Sequence, residues 1–208
     1  KNLIKSLQIY GIKKNFLKKD ILKIINKNLS KKNNYNHLLR IAVNKKIISI
    51  SLRKRISPKL DFDLKLVNLK RNRPKYKNLK YKKILFHLSK MNNSKSDIGL
   101  VSNKKILETG TSNLLFIKDK NIFIQKEGYY EGNTYKFFKT KINKVIKKDI
   151  LIKELKNYEE IILIGSGKGV TSVKTIKQIG WKRKSLKNYR FLSKIYAKAV
   201  MNCPTYNS

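Results

Sequence analysis

The stretch KILETGTSNLLFI, residues 105–117, contains one of the few carboxylates of a very basic chain. The chain has 208 residues, with 51 Lys and Arg against 12 Asp and Glu. Glu108 follows a short apolar run and precedes a loop of threonine, glycine and serine, after which Asn113 opens a second apolar run. Two interpretations are open at this point: Glu108 is a solvated turn residue, or it is a buried acid that holds a cationic ring.

Apolar periodicity and turn residues predict the elements around this stretch. Helices are predicted over 3–12, 20–29, 80–91, 134–148 and 185–200, with Asp20 and Ser185 as N-caps. Strands are predicted over 37–43, 47–54, 60–68, 97–102, 149–155, 160–165 and 170–176, and 113–125 is predicted to form a hairpin. These elements indicate an α/β protein. We expect a small α+β domain over 1–70, a linker over 71–76 and a larger α/β domain over 77–208.

The formal charge of +39 suggests nucleic-acid binding as one function. The lysines are spread along the whole chain, and Lys, Asn and Ile are abundant together, which is typical of a coding bias toward AT-rich codons. No helix-turn-helix, zinc-finger spacing or aromatic RNA-binding signature is present. A basic nucleic-acid-binding protein without catalysis therefore remains only as the alternative from another class.

The composition argues against several other classes of protein. Cys203 is the only cysteine, which excludes a disulfide framework and a multi-cysteine metal site. The two histidines, His37 and His87, are far apart in sequence, and no metal site is predicted. No apolar run approaches the ~20 residues that a membrane span needs, and no signal peptide is recognisable. We expect a cytoplasmic protein that binds no membrane.

Two glycine-containing loops could bind an anion. Gly132 directly precedes a predicted helix, and the segment GSGKG, residues 165–169, follows an apolar strand. Small residues let backbone N–H groups approach an anion, and a helix N-terminus adds partial positive charge. The two loops could hold one phosphate together, or each could be an ordinary turn. The GxxxxGK[ST] spacing of a P-loop is absent.

Four motifs occur in a definite order along the chain. They are Lys77-Asn78-Leu79-Lys80-Tyr81, then Glu108-Thr109-Gly110-Thr111-Ser112-Asn113-Leu114-Leu115, then Gly132-Asn133-Thr134-Tyr135, then Gly165-Ser166-Gly167-Lys168-Gly169. In this order and spacing they resemble the class IV aminotransferase family, the fold-type IV pyridoxal-phosphate enzymes, which includes branched-chain and D-amino-acid aminotransferases and aminodeoxychorismate lyase. The resemblance spans roughly residues 3–200 and is strongest over 77–172.

The resemblance implies pyridoxal 5'-phosphate as cofactor. Lys77 would be the Schiff-base lysine and would also move the α-proton of the substrate. Glu108 would face the pyridine nitrogen and keep it protonated, so that the ring acts as an electron sink. The remaining implied contacts are Tyr81 near the ring hydroxyl, and Asn133, Thr134, Ser166 and Gly167 around the phosphate. Lys168 is either a solvated loop residue or a weak candidate for reading a substrate carboxylate.

The chain also departs from the family pattern. Lys80 stands where the first motif has Asn, and Tyr135 stands where the third has Arg. The family's first strands and its N-terminal phosphate-binding arginine would fall at or before residue 1, so we expect about fifty N-terminal residues to be missing. The resemblance further implies a homodimer.

The substrate is either aminodeoxychorismate or an amino acid. The segment GSGKGV, residues 165–170, is closer to the lyase pattern N-S-x-R-G-[LV] than to the G-T-A-A-E-[IV] of branched-chain transaminases. We therefore expect pyruvate elimination that yields 4-aminobenzoate for folate, with transamination of a branched-chain or related amino acid as the alternative.

Overall fold

The computed structural model describes residues 2–33 and 35–203, with the side chain of residue 2 left out. The chain forms two compact units. The first contains the residues up to 55 together with 76–79, and the second contains 56–75 and 80–201. The first unit therefore ends earlier than the predicted domain boundary at residue 70. The reason is that the strand over 62–68 pairs with strands of the second unit.

The first unit consists of two helices and a hairpin. Its elements are α1 (Asn2–Ile9), α2 (Leu17–Asn28), β1 (His37–Val43) and β2 (Ile48–Lys54). The hairpin is antiparallel, as its alternation predicts, and Leu7, Leu17 and Val43 form a small core. The prediction that Asp20 is the N-cap of α2 is wrong. The helix begins three residues earlier, at Leu17, which is buried. Asp20 lies in the first turn, where its negative charge complements the helix dipole.

The second unit is built on a sheet of nine strands. These are β3 (Phe62–Asn68), β4 (Ser96–Ser102), β5 (Lys105–Thr109), β6 (Asn113–Lys118), β7 (Asn121–Gln125), β8 (Val145–Lys148), β9 (Glu160–Gly165), β10 (Gly169–Ile176) and β11 (Trp181–Lys182). Eight of them lie in the order β5-β4-β3-β10-β9-β6-β7-β8, and the ninth, β11, pairs with β10. Its helices are α3 (Lys82–Ser89), α4 (Asn133–Lys139) and α5 (Lys187–Met201), with short 3-10 helices at Ile152–Asn157 and Lys177–Ile179.

The sheet curls, so that its first strand meets the segment that follows its last. The N–H of Ile106 in β5 donates to the carbonyl of Ile150 at 3.0 Å, and the N–H of Ile152 donates to the carbonyl of Lys104 at 2.9 Å. One apolar cluster lies on one face, including Phe62, Phe116 and Trp181. A second cluster packs under α4 and α5, and a third under α3.

Two predicted elements of this unit are wrong. The helix predicted over 134–148 ends at Lys139, and residues 145–148 form β8 instead, parallel to β7. The β-branched residues Val145 and Ile146 suit this strand, but the strand exists because β7 offers an unpaired edge. The strand predicted over 149–155 is mostly the 3-10 helix Ile152–Asn157, whose tight turn buries Leu155 in the first cluster.

No helix in the described ranges 2–33 and 35–203 combines the length and the apolar composition that a membrane crossing needs.

Helix α5 starts on a buried carboxylate. Ser185, the predicted cap, accepts a hydrogen bond from the N–H of Lys187 at 3.1 Å. Glu160, which has no exposed surface, also accepts from the N–H groups of Asn188 and Tyr189, both at 2.9 Å. A negative charge at a helix N-terminus is favourable, and these bonds satisfy donors that have no partner within the helix.

Replacing Glu160 by glutamine should destabilise the chain by about 1–3 kcal/mol. The amide removes the negative charge at the N-terminus of α5 and turns one acceptor into a donor that faces buried N–H groups. Thermal unfolding followed by circular dichroism measures the loss. Ser185→Ala is the matched control, because it removes one hydrogen bond at the same helix end from a half-buried, uncharged side chain. Equal stability of wild type and Glu160→Gln would contradict this account of the cap.

Candidate active site

Glu108 and the two glycine loops meet at the turn between β5 and β6, residues 108–113, called here the 108–113 turn. Within it, the N–H of Thr109 donates to the carbonyl of Ser112 at 2.9 Å, and the N–H of Ser112 donates to the Thr109 hydroxyl at 2.7 Å. Glu108 is 3% exposed and Asn113 is 4% exposed. Glu108 is therefore a buried acid and not a solvated turn residue.

The Glu108 carboxylate is held at both oxygens. Oε1 accepts from Nε of Arg71 at 2.8 Å, and Oε2 accepts from the N–H of Tyr130 at 3.3 Å. Nη2 of Arg71 also donates to the carbonyl of Gly110 at 3.2 Å, which fixes the guanidinium on the turn. A buried carboxylate needs such a partner, because an unpaired charge in this position would cost several kcal/mol. Sequence reasoning missed Arg71, which is one of 51 basic residues and lies in the predicted linker.

Asn113 ties the first glycine loop to the other end of the turn. Its Nδ2 donates to the carbonyl of Tyr130 at 2.7 Å, and its Oδ1 accepts from the N–H of Gly132 at 3.1 Å. A Cβ on Gly132 would lie 3.0 Å from that Oδ1, so a side chain there would crowd the contact. Glu108 and Asn113 together hold residues 130–132, which lead into α4. Two of the sequence motifs are thereby brought into contact.

Asn113→Ala is expected to loosen the 130–132 loop and to lower stability by about 1–3 kcal/mol, because the half-buried N–H of Gly132 and carbonyl of Tyr130 each lose their partner. Amide hydrogen exchange at Gly132 should accelerate in the variant. Asn121→Ala is the matched control, since Asn121 is exposed and its side chain bonds only within its own turn, to the carbonyl of Asp119. Unchanged exchange at Gly132 in Asn113→Ala would show that the side chain does not hold the loop.

The second glycine loop, residues 165–169, packs on the same turn. A Cβ on Gly165 would lie 2.8 Å from Oγ of Ser112, which is closer than a real side chain can approach. Gly169 has φ of +68°, a conformation that favours glycine, and its Cα faces the ring of Tyr196. Ser166 is exposed and Gly167 is half-buried, so the tip of the loop remains open to a ligand.

Lys168 points away from that tip and into the protein. It is 6% exposed, and its Nζ lies 2.8 Å from Oδ2 of Asp97, which is itself fully buried. Thr109 and Thr111 donate their hydroxyls to the same Oδ2 at 2.9 and 2.6 Å. The interpretation of Lys168 as a solvated loop residue is therefore wrong. Sequence reasoning missed Asp97, whose only signal was an acid at the start of an otherwise apolar strand.

The structure places the remaining predicted residues as follows. Lys77 is exposed and belongs to the first unit with residues 76–79, so its role still rests on the resemblance. Tyr81 is half-buried and packs against the cluster under α3. Asn133 is the exposed first residue of α4, and Thr134 beside it is buried.

Tyr135 takes the place of the motif arginine and lies in the core. It is 1% exposed, and burial raises the pKa of its hydroxyl. Its ring packs edge-on against Tyr129 with the centroids 6.1 Å apart, and the second apolar cluster surrounds both. A neutral, buried side chain at this position cannot supply the positive charge that an arginine would present.

Within residues 2–33 and 35–203, no three His, Cys, Asp or Glu side chains are grouped as a metal site requires.

A model of the family described as amino-transferase class IV matches residues 1–176 of this chain. The chain belongs to the class IV aminotransferase family. The matched residues include Glu108, the 108–113 turn and both glycine loops. The family consists of pyridoxal-phosphate-dependent transaminases and lyases, and the mixed α/β architecture with its curled sheet is the fold-type IV architecture that the sequence predicts.

Solved structures of both kinds of enzyme share this fold. A branched-chain aminotransferase from Thermoproteus uzoniensis, determined with norvaline, superposes with a TM-score of 0.74 at 13% identity, covering 99% of this chain and 79% of that one. A Legionella pneumophila protein provisionally assigned as a 4-amino-4-deoxychorismate lyase superposes with a TM-score of 0.72 at 15% identity, covering 93% and 82%.

The match to a third structure covers a smaller share of that structure's chain. That structure is of a Thermotoga maritima protein provisionally assigned as a branched-chain amino acid aminotransferase, with a TM-score of 0.61 and 18% identity, and the match covers 74% of this chain and 61% of that one. The present chain thus spans about three fifths of that relative. A search of curated proteins found no match.

Proposed function

We propose that this class IV aminotransferase family member uses pyridoxal 5'-phosphate to eliminate pyruvate from aminodeoxychorismate, which yields 4-aminobenzoate. One observation carries the proposal. The buried Glu108 and both glycine loops converge on a single turn, with Tyr130 and Gly132 bonded to its two ends and Gly165 packed on Ser112. An acid and two candidate anion loops are thereby presented by one rigid element.

The residues of the second unit suit the cofactor. A protonated pyridine nitrogen needs a carboxylate partner, and Glu108 is a buried carboxylate held by Arg71. The phosphate needs backbone N–H groups, which we assign to the start of α4, at Asn133 and Thr134, and to the tip of the second loop, at Ser166 and Gly167. When bound, pyridoxal phosphate would supply the electron sink for carbanion chemistry.

The chain's own side chains have separate proposed roles. Lys77 would hold the cofactor covalently and carry the substrate α-proton on its amine. Glu108 would keep the proton on the ring nitrogen, and Arg71 would fix the orientation of that carboxylate. Tyr81 would lie on the hydroxyl side of the ring.

The lyase reaction is favoured over transamination by the 165–169 loop. Its GSGKG sequence keeps a cation at the position where the lyase pattern N-S-x-R-G has arginine, and Lys168 lies there, buried against Asp97. The branched-chain pattern G-T-A-A-E has no cation there. The elimination converts aminodeoxychorismate into pyruvate and 4-aminobenzoate, and it needs no external oxidant or reductant. A branched-chain or related aminotransferase remains the second candidate function.

A comparison of both substrates tests the proposal. Purified protein loaded with pyridoxal 5'-phosphate is given aminodeoxychorismate in one assay, and glutamate with a branched-chain keto acid in another. We expect 4-aminobenzoate and pyruvate in the first. Glutamate-dependent amination of the keto acid, with no 4-aminobenzoate formed, would assign the chain to the transaminase branch. A colourless protein that binds DNA with a steep salt dependence would instead favour the nucleic-acid alternative.

We also expect the functional protein to be a homodimer, despite a formal charge of +39 on each chain. Exposed charges more than ~8 Å apart are largely screened at physiological ionic strength. A stable dimer interface commonly buries over ~2,000 Å², which outweighs such screened repulsion. Light scattering at low and physiological salt should show a dimer that loosens at low salt. A monomer at both salt concentrations would contradict the expected homodimer.

A further inference from the structure

The sheet of the second unit has a weak junction between β3 and β10, called here the seam. Only Phe62 with Val173 and Asp63 with Thr175 are paired across it, and the register is irregular between those two pairs. In contrast, β3 pairs continuously with β4 over residues 63–68. The seam therefore has fewer backbone hydrogen bonds between its strands than the neighbouring β3–β4 pair has.

The seam matters because the candidate site is divided between the two halves. Strands β3, β4 and β5 form one half, and β5 carries Glu108. The other half contains β9 and β10 with the 165–169 loop between them, and β7 with the 130–132 loop after it. The 108–113 turn bridges the two halves, because Asn113 at its end begins β6, which pairs with β9 beside the 165–169 loop. The spacing at the seam therefore bears on how Glu108, on the β5 side of the turn, is placed relative to the loop that we assign to the phosphate.

Side chains reinforce the seam at two levels. On the exposed side, Nζ of Lys174 lies 3.1 Å from Asp61, and Nε2 of Gln178 donates to the carbonyl of Leu66 at 2.9 Å. In the interior, Lys168 crosses the seam completely. Its ammonium lies 4.6 Å over the ring of Phe62 on β3 and reaches Asp97 on β4. The side chains of this inner pair are 4% and 0% exposed.

Asp97 connects the inner pair to the 108–113 turn. Its Oδ2 accepts from Lys168 and from the hydroxyls of Thr109 and Thr111, and its Oδ1 accepts from the N–H of Ile98. The carboxylate thus joins the 165–169 loop to the β5 side of the 108–113 turn. A buried ion pair is a poor way to gain stability, since an apolar pair of similar size is often as stable. It does impose one geometry, because a displaced ammonium would leave two buried charges unpaired.

We propose that the Lys168–Asp97 pair positions the 165–169 loop against the 108–113 turn, and so sets the distance between the phosphate-holding backbone and Glu108. Lys168 is a positioning residue here, not a ligand of the substrate carboxylate. The inference rests on the proposed use of pyridoxal 5'-phosphate. It predicts that loss of the pair weakens the binding of a ligand that contacts both Glu108 and the 165–169 loop. The affinity for a ligand that does not reach the loop should stay unchanged.

The test compares affinities for pyridoxal 5'-phosphate and for pyridoxal, which lacks the phosphate. The variants are Lys168→Met, and Lys168→Met combined with Asp97→Asn, which removes both charges and so avoids an unpaired buried carboxylate. Lys168→Arg keeps a cation at the site. Lys174→Met is the matched control, because it removes an ion pair at the same seam whose side chains are 55% and 46% exposed.

In the double variant we expect near wild-type thermal stability, but at least about tenfold weaker binding of pyridoxal 5'-phosphate, because a small misplacement of binding groups is costly. Pyridoxal affinity should change much less. Lys168→Arg should recover most of the loss, and Lys174→Met should behave as wild type. In the cofactor-free chain, amide exchange at Ser166 and Gly167 should accelerate in the double variant and not in the control.

Two failures can be told apart. A wild-type chain that binds no pyridoxal 5'-phosphate would overturn the proposed function and this inference together. A wild-type chain that binds it, with a double variant that binds equally well and exchanges its loop amides at the same rate, would overturn the positioning role alone. A proportional loss of affinity for pyridoxal and its phosphate would do the same, because the effect would then not depend on the loop.

Discussion

Lys77→Ala is expected to abolish the near-visible absorbance of the cofactor-loaded chain and all turnover. The covalent link to pyridoxal phosphate needs an uncharged primary amine at the reacting carbon, and the same amine then moves the substrate α-proton. Alanine offers neither function. Absorbance after loading, and mass analysis of peptides after borohydride reduction, measure the loss directly.

The rival lysines provide the controls. Lys80 and Lys82 are the nearest lysines that follow in sequence, and both are exposed. Lys80→Ala and Lys82→Ala should keep the absorbance, and the borohydride-fixed cofactor should map to Lys77. If Lys77→Ala retained a reducible cofactor, or if the label mapped to Lys80 or Lys82, the assignment of Lys77 would be wrong.

Glu108→Gln should keep the fold and lower kcat on the order of 100-fold, the scale seen when one preorganised electrostatic group is removed from an active site. The neutral amide is isosteric, and its remaining oxygen can still accept a hydrogen bond from Arg71 or from Tyr130. It cannot hold a proton on the ring nitrogen, so the electron sink weakens. The loss should fall on kcat more than on substrate binding. Steady-state kinetics of the loaded chain separate the two.

Glu160→Gln is the matched control for Glu108→Gln. Both carboxylates belong to the second unit and are buried, at 0% and 3% exposure, but the partners of Glu160 are the first residues of α5. We expect Glu160→Gln to lose stability with kcat nearly unchanged. Glu108→Gln should lose some stability as well, because its amide meets the donors of Arg71 and Tyr130, but it alone should lose kcat. A Glu108→Gln enzyme with wild-type kcat would leave Glu108 with a structural role only, as the partner of Arg71.

Local apolar periodicity was sufficient to predict the elements that bury one face of their own sequence. The β1–β2 hairpin, the β6–β7 hairpin, β9 and α3 follow their apolar patterns, because each buries a face that a short window of sequence reveals. The pattern over 134–155 failed for the opposite reason. Residues 145–148 are compatible with a helix, and they form a strand because β7, earlier in the chain, leaves an edge open beside them.

The sequence by itself determined the family, since four motifs in one order and spacing are specific where each alone is not. It also predicted that Glu108 is a buried acid, in a chain of 51 basic residues, and the structure confirms that burial. Only the tertiary structure decided how that acid is held. Arg71 and Glu108 are 37 residues apart, and Asp97 and Lys168 are 71 apart. No sequence periodicity relates such pairs, because the curl of the sheet brings their residues together. Each buried charge then needs an oppositely charged partner, since an unpaired buried charge is costly.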